Sequence, residues 1–212
     1  MTEDDRPDGP PESLQARRSG SFSFDETYAG SPPWDIGRPQ PAFQALADAG
    51  ELRGRVLDVG CGTGEQALLA AGLGLDATGV DSAPTAIALA EGKAGDRGLS
   101  ARFLIHDALD LAVLDEQFET VLDSGLFHVF EDDDRPRYVD SLKAVTLTGS
   151  RYFLLCFSDQ QPGEFGPRRV SQGEITASFA DGWRVDSIEA TTMAVTFIPT
   201  GALAWLASIT RL

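Results

Sequence analysis

Sulfur and imidazole are scarce in this chain of 212 residues, which has two cysteines and two histidines. Cys61 lies in a glycine loop and Cys156 in an apolar run, so a disulfide framework is not expected and a reducing, cytoplasmic setting is. His106 and His128 stand apart from both, and no group has the spacing of a metal site. Cations are short as well: 17 Lys and Arg stand against 33 Asp and Glu, for a formal charge of −16. Binding to a phosphate backbone needs the opposite balance, which disfavours nucleic acid and anionic membrane surfaces as partners. No apolar run reaches the ~18 residues of a membrane span, and the polar N-terminus carries no signal-peptide pattern. A chain of this length suits one good core better than two.

What is present is concentrated in Val56-Leu57-Asp58-Val59-Gly60-Cys61-Gly62-Thr63-Gly64-Glu65. An apolar run feeds a tight glycine turn, and the turn opens a helical segment. Bare backbone at a helix N-terminus cradles a nucleotide-type cofactor. In a dinucleotide fingerprint a third glycine stands where this chain has Glu65. A carboxylate facing a pyrophosphate counts against NAD and favours a cofactor without phosphate. A second apolar run, Leu75 to Val80, ends in Asp81, about 20 residues beyond Gly60, where a strand-end acid reaches ribose hydroxyls. Arg102 to Ile105 then precedes Asp107-Ala108, and Phe118 to Asp123 precedes Ser124-Gly125-Leu126-Phe127-His128.

Residues 1–21 are polar, rich in Pro, Gly and charge, and read as a disordered tail. The remainder, 22–212, is expected to form one domain whose first part, 22–50, is a helical cap. Helices are expected over Phe22–Gly30, Pro41–Ala49, Glu65–Ala71, Ala83–Gly92 and Asp134–Val145. Strands are expected near 75–80, 101–105, 118–123 and 151–157, besides the one entering the glycine loop. This alternation implies right-handed crossovers and a mainly parallel α/β sheet. Trp183–Ala190 and Ala194–Phe197 read as a reversed pair of strands, and Gly201–Leu212 as a last helix.

The glycine stretch and the ordered features after it resemble the class I S-adenosylmethionine-dependent methyltransferases, over roughly residues 22–212. Ser31-Pro32-Pro33-Trp34-Asp35-Ile36-Gly37-Arg38-Pro39-Gln40-Pro41 narrows the resemblance to the thiopurine and halide/thiol methyltransferases and the bacterial small-molecule enzymes near them. The resemblance implies a doubly wound, Rossmann-like sheet of seven strands with the last antiparallel, and S-adenosylmethionine as cofactor. It also implies a cytoplasmic monomer or homodimer, acting in detoxification or secondary metabolism.

Carried onto this chain, the resemblance places Asp81, with Ser82 beside it, against the ribose and Asp107-Ala108 against the adenine. The backbone of Gly60, Cys61 and Gly62 would surround the methionyl part. Asp58 would order the glycine loop or meet the ammonium group, and Ser124 would offer its backbone near the methyl. Trp34 would wall the sulfonium, and Arg38 would pair with the cofactor's carboxylate. His128 is the first candidate for handling an acceptor's proton or orienting its oxygen, and Asp159 the second. Arg168 and Arg169 fall near the expected pocket rim. The acid run Glu131–Asp134 reads as a helix start.

The acceptor expected is an O, N or S atom of a small aromatic heterocycle or phenol. Phe22, Phe24, Trp34, Phe127, Phe130 and Phe157 supply ring surface for it. Two rivals stay open: a halide or simple-thiol methyltransferase on the same scaffold, and a non-catalytic nucleotide-binding module.

Overall fold

The computed structural model describes residues 23–164 and 166–212; the expected tail and Phe22 lie outside the described residues. Five strands pair in parallel: β1 (Arg55–Val59), β2 (Asp76–Asp81), β3 (Ala101–Ile105), β4 (Phe118–Ser124) and β5 (Thr146–Phe157). They are joined by β6 (Trp183–Val195) and β7 (Ile198–Arg211) in the order β3-β2-β1-β4-β5-β7-β6. β7 is antiparallel to both of its neighbours. The chain leaves β1 toward β2 on one side and returns to β4 on the other. That reversal opens a crevice beyond the carboxyl ends of β1 and β4, where ligands of such sheets bind.

Helices cover both faces. α1 (Phe24–Tyr28) and α2 (Pro41–Asp48) precede the sheet; α3 (Glu65–Gly72), α4 (Pro84–Arg97), α5 (Asp134–Ala144) and α6 (Gln172–Ser178) lie in the connections. α1 starts on Ser23, whose hydroxyl accepts from the Glu26 amide, and α6 starts on a reciprocal Ser171–Glu174 capping box. Leu57, Val59, Val121, Tyr138, Leu142 and Tyr152 form the core on one face of the sheet, and Val56, Leu122, Phe43, Phe153 and Leu155 that on the other. Each such side chain contributes ~1.5–3 kcal/mol by leaving water, so strands and flanking helices are held as one unit.

Three expectations need correction. α4 does not stop at Gly92; it runs through Gly92 and Gly95 to Arg97. A Cβ at either glycine would meet nothing within 4 Å, so neither marks a contact that ends the helix. Ala194–Phe197 is not a separate strand. β6 runs on to Val195, and Thr196 and Phe197 turn the chain into β7. Residues 201–212 are not a helix but most of β7. Its Ala and Leu content favours helix, yet β7 lies between β5 and β6 and both its faces are covered. Such a strand loses the clean polar/apolar alternation that marks a strand in sequence.

Candidate active site

β1 is anchored by its fully buried Val56, Leu57 and Val59 and ends in the glycine loop, where Gly60 lines the crevice. Gly62 shows why no larger residue serves there. Its φ is +52°, its amide donates to Asp81 Oδ2 at 2.8 Å, and a Cβ would lie 2.6 Å from Tyr28 Oη. The loop is thus pressed between the β2 end and the cap.

Asp81 also accepts from the Ala83 amide at 2.9 Å. Burial pushes its carboxyl up, and the amides of Ala83, Gly62 and Ser82 restrain that rise. Asp107 Oδ1 accepts from the Leu109 amide at 2.9 Å, capping the 3-10 turn Ala108–Leu114. Asp58 does not line the crevice. Oδ2 accepts from the Ala67 amide at 3.0 Å in the first turn of α3, while Oδ1 is buried without a partner. Burial pushes the Asp58 carboxyl up to about 8. Asp58 thus ties the end of β1 to the first turn of α3, the helix that follows the glycine loop.

The crevice holds a cavity of about 190 Å³ and an adjoining recess of about 50 Å³. Asp81, Ser82, Asp107 and Ala108 line the cavity, with His128, Phe130 and Phe157. Arg38, Cys61, Gly62 and Thr63 line the recess. Gly60, Ser124, Tyr28, Trp34 and Met193 border both, so the two spaces meet at the ends of β1 and β4. Arg38 is the one Lys or Arg among these described lining residues. Asp81 and Asp107 present carboxylates to the cavity, and no cluster of cations lines either space among the described residues. These residues fit an adenosyl group joined to an amino acid.

Phe24, Tyr28, Pro33 and Trp34 of the N-terminal segment form one wall of the crevice. Trp34 Nε1 donates to Tyr28 Oη at 2.9 Å, and the Trp34 ring stands edge-on to both Tyr28 and Phe24. Asp25 Oδ1 accepts from the Thr85 amide at 2.8 Å, so α1 caps the N-terminus of α4 across 60 residues. The β6–β7 turn meets the cap from the opposite side. Thr196 N donates to Pro33 O, Ala194 N to Gln40 Oε1, and Gln40 Nε2 to Ala194 O. Met193, Val195 and Phe197 of this hairpin line the cavity. Sequence reasoning missed them along with Tyr28, because a hairpin's reach over a crevice leaves no local signal.

The glycine-loop acid acts differently from its expected role. Glu65 bonds Arg97 through both carboxylate oxygens and Lys93 through one, each at 2.8 Å. Burial opposes its ionisation, but Arg97 and Lys93 more than offset this and hold the carboxyl below its usual range. Its charge is therefore answered within the protein, and repulsion of a pyrophosphate is not its effect. Lys93 also donates to Thr63 Oγ1, which in turn donates to Asp35 Oδ2, tying the cap to the loop.

Of the two proton-handling candidates, only His128 reaches the cavity. Asp159 does not: it is exposed beyond β5, outside the lining of either space, with the Ser158 hydroxyl donating to it. Phe127 is likewise core, packed on Tyr138 and Phe179. Neither cation of the rim pair is available to an acceptor. Arg168 pairs with Asp132 and Glu174, while Arg169 donates to the carbonyls of Gln161, Pro167 and Gly163. Among the described residues no three His, Cys, Asp or Glu side chains could hold a metal ion.

Beneath the loop that carries His128 lies Asp123, fully buried. Its carboxylate accepts from Tyr138 Oη and Tyr152 Oη at 2.8 Å and from the Leu126 and Phe127 amides. Burial pushes it up to about 6 against the pull of these four donors. An acid closing a strand before Ser-Gly was the available signal, but the two tyrosines come from distant elements.

The family described as "Methyltransferase domain" matches residues 56–149. A 2-heptyl-1-hydroxyquinolin-4(1H)-one methyltransferase of Mycobacteroides abscessus is 38% identical over 84% of this chain and 80% of its own length. The chain is a class I S-adenosylmethionine-dependent methyltransferase. A solved structure from work on converting a disulfide bond into a thioacetal group in echinomycin biosynthesis is 40% identical to this methyltransferase. It covers 89% of this chain and 90% of that one, with a TM-score of 0.81. A probable thiol methyltransferase of Arabidopsis thaliana is more distant, 28% identical over 69% of this chain and 66% of its own length. Among the described residues no helix is long and apolar enough to cross a membrane.

Proposed function

We propose that this methyltransferase transfers a methyl group to an O, N or S atom of a small, flat, aromatic heterocyclic or phenolic acceptor. The observation that carries the reading is the cavity's wall beyond the cofactor residues. Phe24, Trp34, Phe130, Phe157, Phe197 and Met193 border it with apolar surface, and His128 is a polar side chain beside them. The hydroxyquinolinone named for the Mycobacteroides relative is an acceptor of this kind.

When bound, S-adenosylmethionine supplies an electrophilic methyl group on a sulfonium. In our assignment Asp81 and Ser82 hold the ribose, Asp107 and Ala108 the adenine, and Arg38 the carboxylate at the mouth of the recess. Gly60, Cys61, Gly62 and Ser124 present backbone to the methionyl part, and Asp58 keeps their loop in shape. Trp34 and Tyr28 roof the junction of the two spaces with ring surface suited to a cation. The cap and hairpin border this space, and water excluded from it on binding would strengthen attraction between an anionic acceptor and a sulfonium held in line.

The test is transfer of labelled methyl to phenols, hydroxyquinolones and heteroaryl thiols, with hydrosulfide and iodide alongside. Transfer to a ring acceptor, lost in Asp81→Ala, is expected. Activity with hydrosulfide or iodide alone would overturn the acceptor class.

A further inference from the structure

The pairing of β4 with β5 ends at Ser124 and Leu155, yet β5 continues to Phe157. The Phe157 amide therefore has no strand neighbour on that side. His128 takes the place: Nδ1 accepts from Phe157 N at 2.9 Å, and the two rings meet edge to face at a centroid distance of 5.2 Å. A nitrogen that accepts from an amide carries no proton, so in the neutral ring the proton sits on Nε2. Charging the ring would set an Nδ1 proton against the amide proton. Nε2 already holds its proton, so His128 cannot take one from an acceptor without breaking the Phe157 bond.

Resting on the acceptor class proposed above, we infer that His128 acts as a neutral Nε2–H donor that orients an acceptor already ionised at oxygen or sulfur. The methyltransferase then selects acidic ring acceptors and needs no general base. In the transfer step the heteroatom forms the bond to the methyl carbon, and the pair of the breaking carbon–sulfur bond returns to sulfur. The acceptor's negative charge and the sulfonium charge cancel. No proton moves, the acceptor having lost its proton to solvent before binding.

The rest of the molecule supports this division. The ring is 5% exposed and lines the cavity. Gly125, at φ +86°, leaves room for it, since a Cβ there would lie 3.2 Å from Nε2. Asp123 fixes the amides of Leu126 and Phe127 just before it. The other ionisable groups near the ring are no better suited to take a proton. From the cap, burial pushes the Tyr28 phenol far up, and its oxygen already accepts from Trp34. From beneath, Asp123 is sealed from the cavity by four donors. From the 166–169 segment comes Arg169, a cation 5.3 Å from the Phe157 ring. β6 contributes only Met193 and Val195 to the lining, and the carboxylates of Asp81 and Asp107 stand at the ends of β2 and β3 with His106, whose Nε2 donates to Asp110 O.

The experiment uses the full chain with S-adenosylhomocysteine and 4-nitrophenol, whose anion absorbs apart from the neutral form. Bound 4-nitrophenol should ionise about one pH unit or more below its value in water, because a donor to the anion favours that form. His128→Phe should abolish this shift, and His128→Gln, which keeps an N–H but has no titratable nitrogen, should retain much of it. In turnover, kcat/KM for 4-nitrophenol and for 1-hydroxyquinolin-4-one should rise with pH at a point set by each acceptor's own acidity. Above that point His128→Phe should raise KM for the acceptor about tenfold to a hundredfold with little change in kcat.

An inflection common to both acceptors, or His128→Gln as defective as His128→Phe in both readouts, would overturn the inference and leave the acceptor class standing. Failure of both ring compounds to bind or to be methylated would overturn the acceptor class, and this inference with it.

Discussion

Asp123→Asn is the substitution whose consequence the structure specifies most fully. The carboxylate serves four donors in a fully buried site: two tyrosine hydroxyls at 2.8 Å, the Leu126 amide at 2.8 Å and the Phe127 amide at 3.1 Å. An asparagine has one acceptor oxygen. If that oxygen keeps the amides, its own N–H₂ group faces Tyr138 and Tyr152, and one or two buried donors lose their acceptor. At ~1–3 kcal/mol for each unsatisfied group, the cost is about 1–6 kcal/mol, a large part of the stability of an ordinary domain.

Urea unfolding at neutral pH measures this directly. The companion variants are Tyr138→Phe with Tyr152→Phe, with and without Asp123→Asn. Removing the hydroxyls together with the carboxylate leaves no orphaned donors, so the triple variant should be more stable than the sum of its parts by about 2 kcal/mol or more. A cost for Asp123→Asn under ~1 kcal/mol, or simple additivity across the cycle, would refute the account of this cluster.

Asp58 has its native carboxyl raised above the ordinary value, to about 8. The native state therefore holds its proton more tightly, so its contribution to stability is present below about pH 4 and is lost as pH rises through about 8. Asp58→Asn should unfold with a flatter pH dependence than the wild type between pH 5 and 9, and equal slopes would contradict this. Gly62→Ala strains a φ of +52° and drives a methyl against Tyr28 Oη. S-adenosylhomocysteine affinity by calorimetry should fall at least about tenfold, for a strain of ~1–3 kcal/mol, and unchanged affinity would remove the loop from the binding site. Asp25→Ala removes the bond from α1 to the start of α4. Limited proteolysis should cut residues 23–40 faster while spectroscopic unfolding shifts by no more than ~1–2 kcal/mol; equal cleavage rates would show that the cap is held by other contacts.

The acid-ended strand, the glycine loop, and Asp81 and Asp107 at their strand ends were all legible in the sequence. Each depends on local chemistry: a turn that requires a positive φ, an alternation of β and α periods, and carboxylates at the positions where strands run out. His128 was legible as a residue of the right loop, but its protonation state was not. That is set by the Phe157 amide on β5, which is left without a partner because β4 stops earlier. The hairpin wall of Met193, Val195 and Phe197 was also hidden, and β7 itself reads as helix. Helical propensity is a property of the chain alone, whereas insertion between β5 and β6 is a property of the assembled sheet. Asp159 shows the reverse. Its position after a strand suggested chemistry, and only the packing of the segment showed that it faces solvent. Local backbone demands are written residue by residue and survive as motifs. Partners recruited from distant elements are chosen by packing, and so only the tertiary structure decided them.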